Sequence, residues 1–289
     1  MSICRTDRPR SIVITGASTG IGAACALDLD QRGFRVFAGV RKEADAQRLR
    51  QQASERMVPL MLDVTDAEAI AAAVETVAAD VGPAGLFGLI NNAGIVVPGP
   101  LELVPIDKLR MQMEVNVLGQ IAMIQAFLPL LRAARGRIIN MSSISGRVAA
   151  PYLGPYCGSK FALEAFSDAL RLELRNWGIK VVLVEPGSVA TPIWQKSREA
   201  ADEASGQINA DAVALYEADL DALRRVTQKI ADNAMPVEKV LRAVRHALYA
   251  RRPRTRYPVG TEARLTYRFL RFLPDRLRDR VIRRGIGLP

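Results

Sequence analysis

Hydrophobic positions along the chain fall into short apolar runs separated by longer stretches with helical spacing. Ser11 to Thr15, Arg35 to Val40, Met57 to Leu62, Leu86 to Ile90, Arg137 to Met141 and Lys180 to Val184 each read as a strand. Between them Ala23 to Gln31, Ala67 to Ala79, Asp107 to Leu131 and a segment beginning near Gly154 read as helices. Such alternation predicts an α/β, doubly wound parallel sheet, whose ligands bind beyond the carboxyl ends of the strands. The rhythm lapses from Thr191 to Ala234, where Trp194, Val213, Leu215, Tyr216, Leu220 and Leu223 are scattered among polar residues. That stretch reads as a helical lid over a substrate, or else as a surface insertion. The expected organisation is one catalytic domain over residues 1–250, with the lid at 191–234, and an extension over 251–289.

Every predicted strand ends in polar or glycine-rich sequence. The first leads into Gly16-Ala-Ser-Thr-Gly20-Ile-Gly22 and then a helix. Gly16 permits the tight turn, Gly20 lets a pyrophosphate approach the backbone, and Gly22 lets the helix pack closely, with the helix N-terminus facing the anion. The second strand ends in Val40-Arg41-Lys42, without the acid that binds a ribose 2′-hydroxyl in NAD sites. NADP is therefore favoured over NAD, with Arg41 as the partner of the 2′-phosphate; the alternative is that both cations are solvated loop charges. The third ends at Asp63-Val64, where the acid is placed to accept the adenine amino group. The fourth is followed by Asn91-Asn92-Ala93-Gly94, a corner with little side-chain bulk to keep a cofactor away, in which Asn91 itself reads as structural. The sixth delivers Glu185 to Thr191.

The fifth strand delivers Ser142 and Ser143, and the helix after it carries Tyr156 and Lys160. Residues i and i+4 are neighbours on a helix face. A phenol with a free pKa of about 10 exchanges protons poorly at neutral pH, and a nearby ammonium favours the phenolate. Lys160 is expected to lower Tyr156 in this way, while Ser143 converges on the same substrate oxygen. These are the parts needed to exchange a proton with a carbonyl or alcohol oxygen while a hydride moves at carbon. Asn116, inside the long helical segment, is expected to hold backbone and a water near Lys160, or to make a structural hydrogen bond.

Composition narrows the classes. The 289 residues are 49% hydrophobic, enough for a substantial core. No uninterrupted run of about 20 apolar residues occurs, which argues against a membrane-spanning helix, and Met1 to Arg10 is too polar for a signal peptide. Cys4, Cys25 and Cys157 have no metal-type spacing and fit a reducing compartment, the cytoplasm by default. The single histidine, His246, reads as a helix-surface residue, which excludes histidine-dependent hydrolase, zinc and hydride chemistry. The formal charge of +10 is concentrated in Arg251 to Pro289, which holds twelve arginines against Glu262, Asp275 and Asp279. Within it, Arg264 to Arg284 places Leu265, Phe269, Phe272, Leu277 and Val281 roughly on one helical side, interrupted by Pro274. The segment packs on the domain or lies peripherally on an anionic membrane; nucleic acid is disfavoured, because no binding fold or aromatic interleaving accompanies the charge.

TGASTGIG at Thr15 to Gly22, NNAG at Asn91 to Gly94, Asn116, Ser143, Tyr156 with Lys160, and Pro186-Gly187 together resemble the short-chain dehydrogenase/reductase family. LFGLINNAGI at Leu86, ARGRIINMSS at Ala134, YCGSKFALEAFSDALRLEL at Tyr156 and RTRYPVG at Arg254 look like its hydroxysteroid, retinol and 3-hydroxybutyrate dehydrogenase branch. The resemblance implies a Rossmann-type sheet and a nicotinamide cofactor. It implies Tyr156 as acid/base, Lys160 binding the ribose, Ser143 positioning the substrate and Asn116 supporting the relay. It also implies cofactor contacts from Gly16, Ser18, Thr19, Gly20, Ile21, Gly22, Arg41, Asp63, Val64, Asn92, Ala93, Gly94, Tyr156, Lys160, Pro186, Gly187, Val189 and Thr191, and a homodimer or homotetramer through the helices of Asn116 and Tyr156. The expected function is interconversion of a secondary alcohol and a ketone on a hydrophobic steroid-, retinoid- or lipid-like molecule with NADP(H). A non-catalytic NADP-binding sensor or scaffold of the same fold is the alternative; an epimerase or dehydratase on a nucleotide sugar would need a larger C-terminal domain.

Overall fold

The apolar runs form β1 (Ser11–Ile14), β2 (Arg35–Val40), β3 (Met57–Met61), β4 (Gly88–Asn91), β5 (Arg137–Met141) and β6 (Lys180–Pro186) of the computed structural model, which describes residues 10–195 and 210–288. The expectations for Cys4, for residues 1–9 and for the lid at 196–209 lie outside the described residues. β4 starts later than its apolar run because the Leu86 N–H is diverted to the Leu130 carbonyl, 2.9 Å away, and leaves the ladder. β6 is longer than expected because Glu185 and Pro186 pair with a seventh strand, β7 (Arg256–Val259). All neighbours are parallel, in the order β3-β2-β1-β4-β5-β6-β7. β7 went unread because it is a four-residue edge strand with a proline, set among arginines, and an edge tolerates both. The sheet thus takes its last strand from the segment read as an extension.

The helices are α1 (Gly20–Gln31), α2 (Glu43–Gln52), α3 (Ala67–Val81), α4 (Ile106–Met113), α5 (Gly119–Ala134), α6 (Gly154–Glu173), α7 (Ala210–Ala214), α8 (Glu217–Asp232), α9 (Glu238–Tyr249), α10 (Thr261–Arg268) and α11 (Asp275–Ile286). Side chains alternate across each strand. Ile12, Ile14, Val36, Ala38, Val182 and Val184 pack under α1, α2 and α9, whereas Val13, Phe37, Leu89, Ile138 and Val181 pack under α3 and α5. Both faces of the sheet are covered, as parallel sheets require. α2 escaped notice because only Ala46 and Leu49 of its ten residues are buried.

A π-helical turn, Glu114–Leu118, joins α4 to α5. The combined segment Ile106–Ala134 is long and apolar enough to cross a membrane by length and composition, although polar residues interrupt its apolar run. Here its inward side carries Met123, Ile124, Phe127 and Leu131 into the core, along with the buried amides Gln112, Asn116 and Gln120. At the C-terminus α10 packs on the turn that follows Ser143, and α11 packs on α8. The apolar residues Leu265, Phe269, Phe272, Leu277 and Val281 remain between 41% and 68% exposed, so most of that helical side faces outward.

Candidate active site

At the carboxyl end of β1 the chain turns through Gly16 and Gly20, both at positive φ (65° and 59°), where a side chain is strained. A Cβ on Gly22 would lie 2.2 Å from the Gly16 carbonyl oxygen, so only glycine lets α1 begin against this turn. Ser18, Thr19 and Ile21 lie within the cradle, and the Ser18 carbonyl accepts from Arg48 of α2 at 2.5 Å. The loop after β4 is stitched to it: Thr15 Oγ1 accepts from the backbone N–H groups of Asn92 and Ala93 at 2.9 and 3.0 Å. Asn92 Nδ2 donates to the carbonyls of Thr15 and Gly16 at 3.0 and 3.1 Å. A bare backbone turn at a helix N-terminus with no acid in its first turn fits a pyrophosphate.

Asn116 occupies the π-helical turn, a distortion that frequently marks functional sites. Its Oδ1 accepts from Ile95 N–H at 2.8 Å, and its Nδ2 donates to the Ile95 carbonyl at 3.0 Å and Ser159 Oγ at 3.1 Å. Gln112 grips the same loop through Ile95 and Val97, and Gln120 Nε2 donates to the Ala93 carbonyl. Sequence reasoning singled out Asn116 and missed both glutamines, whose signal was three amides at four-residue spacing within an apolar helix. Gly94 lies under Asn116, with room for a Cβ only at 3.3 Å from its Oδ1. Asn91 turns the other way and donates to Asn140 Oδ1 at 3.0 Å, tying β4 to β5.

Ser143 follows β5, and its Oγ accepts from Ser145 N–H at 3.1 Å, capping a single turn. Pro155 in the first turn favours the start of α6, which brings Tyr156 and Lys160 one turn apart. The Ser143 hydroxyl lies near enough to the Tyr156 phenol to act on its acidity. Lys160 is buried, its Nζ donates to the Met141 carbonyl at 2.8 Å, and it lies 5.7 Å from the Tyr156 ring centroid. Burial pushes the ammonium down to about 8, and Glu164 partly restores it. Burial pushes the Tyr156 phenol up to about 12, with the Ser143 hydroxyl pulling against it. This reverses the expected direction: the lysine charge is directed to a carbonyl rather than to the phenol oxygen.

The other expected cofactor residues surround the same edge of the sheet. Thr191 faces Gly20, 3.3 Å from the place of its missing Cβ, which brings the loops after β1 and β6 together. Gly187 N–H donates to Val259 at 3.0 Å as Pro186 ends β6, and the buried Val189 forms a bridge with Met235. Val64 is buried against Gly119, where a Cβ would be 2.7 Å from its carbonyl oxygen. Arg41 and Asp63 approach one another at 3.6 Å across the ends of β2 and β3. Burial would raise the Asp63 carboxyl, but two bonds from Thr65 and the Arg41 charge bring it below its usual value. Arg41 is well exposed, so this pair contributes little stability. His246 is exposed and its Nδ1 lies 2.7 Å from the Tyr257 hydroxyl, on an outer helix.

Comparison with known proteins agrees with this geometry. The family described as short chain dehydrogenase matches residues 10–202. The chain is 42% identical over 277 residues to retinol dehydrogenase 5 of Mus musculus, covering 94% of this chain and 87% of that protein. It is 39% identical to 17-beta-hydroxysteroid dehydrogenase type 6 of Homo sapiens, covering 96% and 89%. Among solved structures, a short chain dehydrogenase from Burkholderia cenocepacia J2315 in complex with NADP superposes with a TM-score of 0.72 at 27% identity, covering 98% of this chain and 99% of that one. A nicotinamide-dinucleotide oxidoreductase of CH–OH groups, the chain belongs to the short-chain dehydrogenase/reductase family and resembles its retinol and hydroxysteroid branch.

Proposed function

We propose that the protein interconverts a secondary alcohol and a ketone of a hydrophobic steroid-, retinoid- or lipid-like molecule, with NADP(H) as its partner. The observation that carries this reading is the meeting of Ser143, Tyr156 and Lys160 beside the glycine cradle at one edge of the sheet. A bound nicotinamide supplies or accepts the hydride. In reduction the Tyr156 hydroxyl, protonated at neutral pH, gives its proton to the carbonyl oxygen, while the Ser143 hydroxyl donates to the same oxygen and holds it in line. Lys160, one turn along α6, holds its ammonium on the Met141 carbonyl beside the site, and Asn116 keeps the loop after β4 in shape against the cofactor. Arg41, exposed where β2 ends and an NAD site would carry an acid, supports the NADP preference. The names of the relatives and the exposed Leu101 beside the start of α6 support an apolar substrate.

The same reading includes a homo-oligomer through the helices of Asn116 and Tyr156, whose outer sides expose Met111, Leu118, Phe161 and Phe166. It also includes peripheral membrane contact through the apolar side of residues 264–284. The test is titration with NADPH and NADH, followed by a panel of steroid, retinoid and short-chain ketones. Tighter NADPH binding that Arg41→Asp reverses, with ketone turnover abolished in Tyr156→Phe, is the expected result. Full turnover in Tyr156→Phe would refute the mechanism, and binding of neither nucleotide would refute the enzyme.

A further inference from the structure

Arg48 is not among the expected cofactor residues, yet its side chain ends at the glycine cradle. α2 begins at Glu43, directly after Arg41 and Lys42. Side chains on a helix lean toward its N-terminus, so an arginine in the second turn reaches back over the first. Asp45, three residues earlier on the same face, fixes that direction by accepting from Arg48 Nη2 at 2.7 Å. The same nitrogen donates to the Ser18 carbonyl at 2.5 Å, thirty positions away in sequence. The cradle also meets β2 on this side, because the Ala17 N–H donates to the Gly39 carbonyl at 2.9 Å. The guanidinium therefore stands at the junction of the turn after β1, the end of β2 and the first turn of α2. Both of its contacts use Nη2, which leaves the Nε N–H and the Nη1 amino group without a partner among the described residues. The side chain is 43% exposed, so a ligand can reach these donors.

We propose that Arg48 is a specificity-determining residue that holds the 2′-phosphate of NADP(H), as the pre-fixed member of a pair whose other member is Arg41. This rests on the reading of the cofactor as NADP(H). Arg41 is 69% exposed and only loosely approaches Asp63, at 3.6 Å, so it must give up side-chain freedom to hold an anion. Arg48 has already given it up, because Asp45 and Ser18 hold its guanidinium in place. The balance of charge points the same way. Asp63 answers Arg41 and Asp45 answers Arg48, whereas Lys42 has no ion-pair partner among the described residues. Glu43, the remaining acid at this end of α2, is taken by Arg50 at 2.8 Å. Three cations thus stand against two acids where β2 ends, a surplus that suits a phosphate. A guanidinium adds several N–H donors in fixed directions, which a phosphate can accept together. Ser18 joins the two halves of the site, since Arg48 holds its carbonyl while its turn leads to the N-terminus of α1, where a pyrophosphate fits.

Nucleotide binding to the full chain tests this without any turnover. NADPH, NADH, 2′,5′-ADP and 5′-AMP are titrated by calorimetry into the wild type, Arg48→Gln, Arg48→Lys and Arg41→Gln, with urea unfolding to establish that each variant is folded. In Arg48→Gln, NADPH and 2′,5′-ADP should bind at least about tenfold more weakly, the effect of one charge-assisted contact. NADH and 5′-AMP should change by less than about threefold. Arg48→Lys, which keeps the charge and loses the planar fork, should recover part of the loss for the two ligands that carry the 2′-phosphate. Added salt should narrow the gap between NADPH and NADH in the wild type, and should narrow it less in Arg48→Gln. Equal weakening of both nucleotides in Arg48→Gln would overturn the proposal, because Arg48 would then only brace the cradle. Unchanged NADPH binding in Arg48→Gln, with the loss confined to Arg41→Gln, would overturn it too and leave the NADP(H) reading standing. A wild type that binds NADPH and 2′,5′-ADP no better than NADH and 5′-AMP would overturn that reading and this proposal together.

Discussion

Replacing Lys160 by methionine keeps the volume and removes the charge, and the structure sets how the result depends on pH. Lys160 is 5% exposed, so solvent screening offers no discount. Its folded value of about 8 lies below the ordinary 10.5, so between these values the unfolded chain holds the extra proton and stability rises with pH. The full drop corresponds to about 3 kcal/mol. Below pH 8 the wild type carries this whole penalty and the methionine variant carries none of it. The variant loses instead the charged hydrogen bond to the Met141 carbonyl, worth about 1.5–3 kcal/mol. Near pH 7 the two proteins should therefore lie within about 2 kcal/mol of each other, with the variant level or ahead. By about pH 10.5 the wild type should have gained about 3 kcal/mol on the variant. Urea unfolding of both at several pH values measures this, and subtraction removes Tyr156 and Cys25, which titrate in both. A difference constant within about 0.5 kcal/mol from about pH 7 to about 10.5 would refute the claim that a buried cation titrates here. The variant should also lack turnover at every pH.

Gly22→Ala forces a Cβ to within 2.2 Å of the Gly16 carbonyl oxygen and 2.5 Å of Asn92 Nδ2, contacts that backbone cannot relieve. It should cost about 1–3 kcal/mol of stability and weaken nucleotide binding at least about tenfold by calorimetry; unchanged binding would show that the cradle does not touch the cofactor. Asn116→Ala leaves the Ile95 N–H without its acceptor, while the Ile95 carbonyl keeps Gln112 Nε2, and should lose about 1–3 kcal/mol in denaturant unfolding, with a loss below about 0.5 kcal/mol counting against the lock. Phe127→Ala, in the core under the sheet, should lose about 3–5 kcal/mol with nucleotide affinity unchanged if the folded fraction is corrected for.

What could be read from the residues was what short segments decide alone. The glycine turn after β1, the strands with apolar runs and the four-residue step from Tyr156 to Lys160 each depend on neighbours within about ten positions of sequence. β7 was invisible because Arg256 to Val259 carries no apolar run. It becomes a strand because β6 offers an open edge and the Glu185 carboxylate draws in Arg256. The sharing of Arg147 and Arg256 between Glu164 and Glu185 was equally hidden, since its members come from four separate segments of the chain. The raised phenol of Tyr156 was missed for a related reason: spacing places a lysine nearby but does not say that its ammonium is bonded to Met141.

The late position of β7 in the chain bears on how the protein is made. β6 emerges from the ribosome with the fully buried Glu185 near its end, and the arginine that answers it on the far side belongs to β7. Until Arg256 emerges, the edge of the sheet is open and a carboxylate waits there with only Arg147 of the two guanidiniums to pair it. Nascent chains that stop before β7 therefore hold an unfinished edge, the kind of surface that chaperones bind and that pairs wrongly with other strands. The arginine-rich segment that carries β7 thus completes the sheet, and a truncation before it removes part of the fold itself.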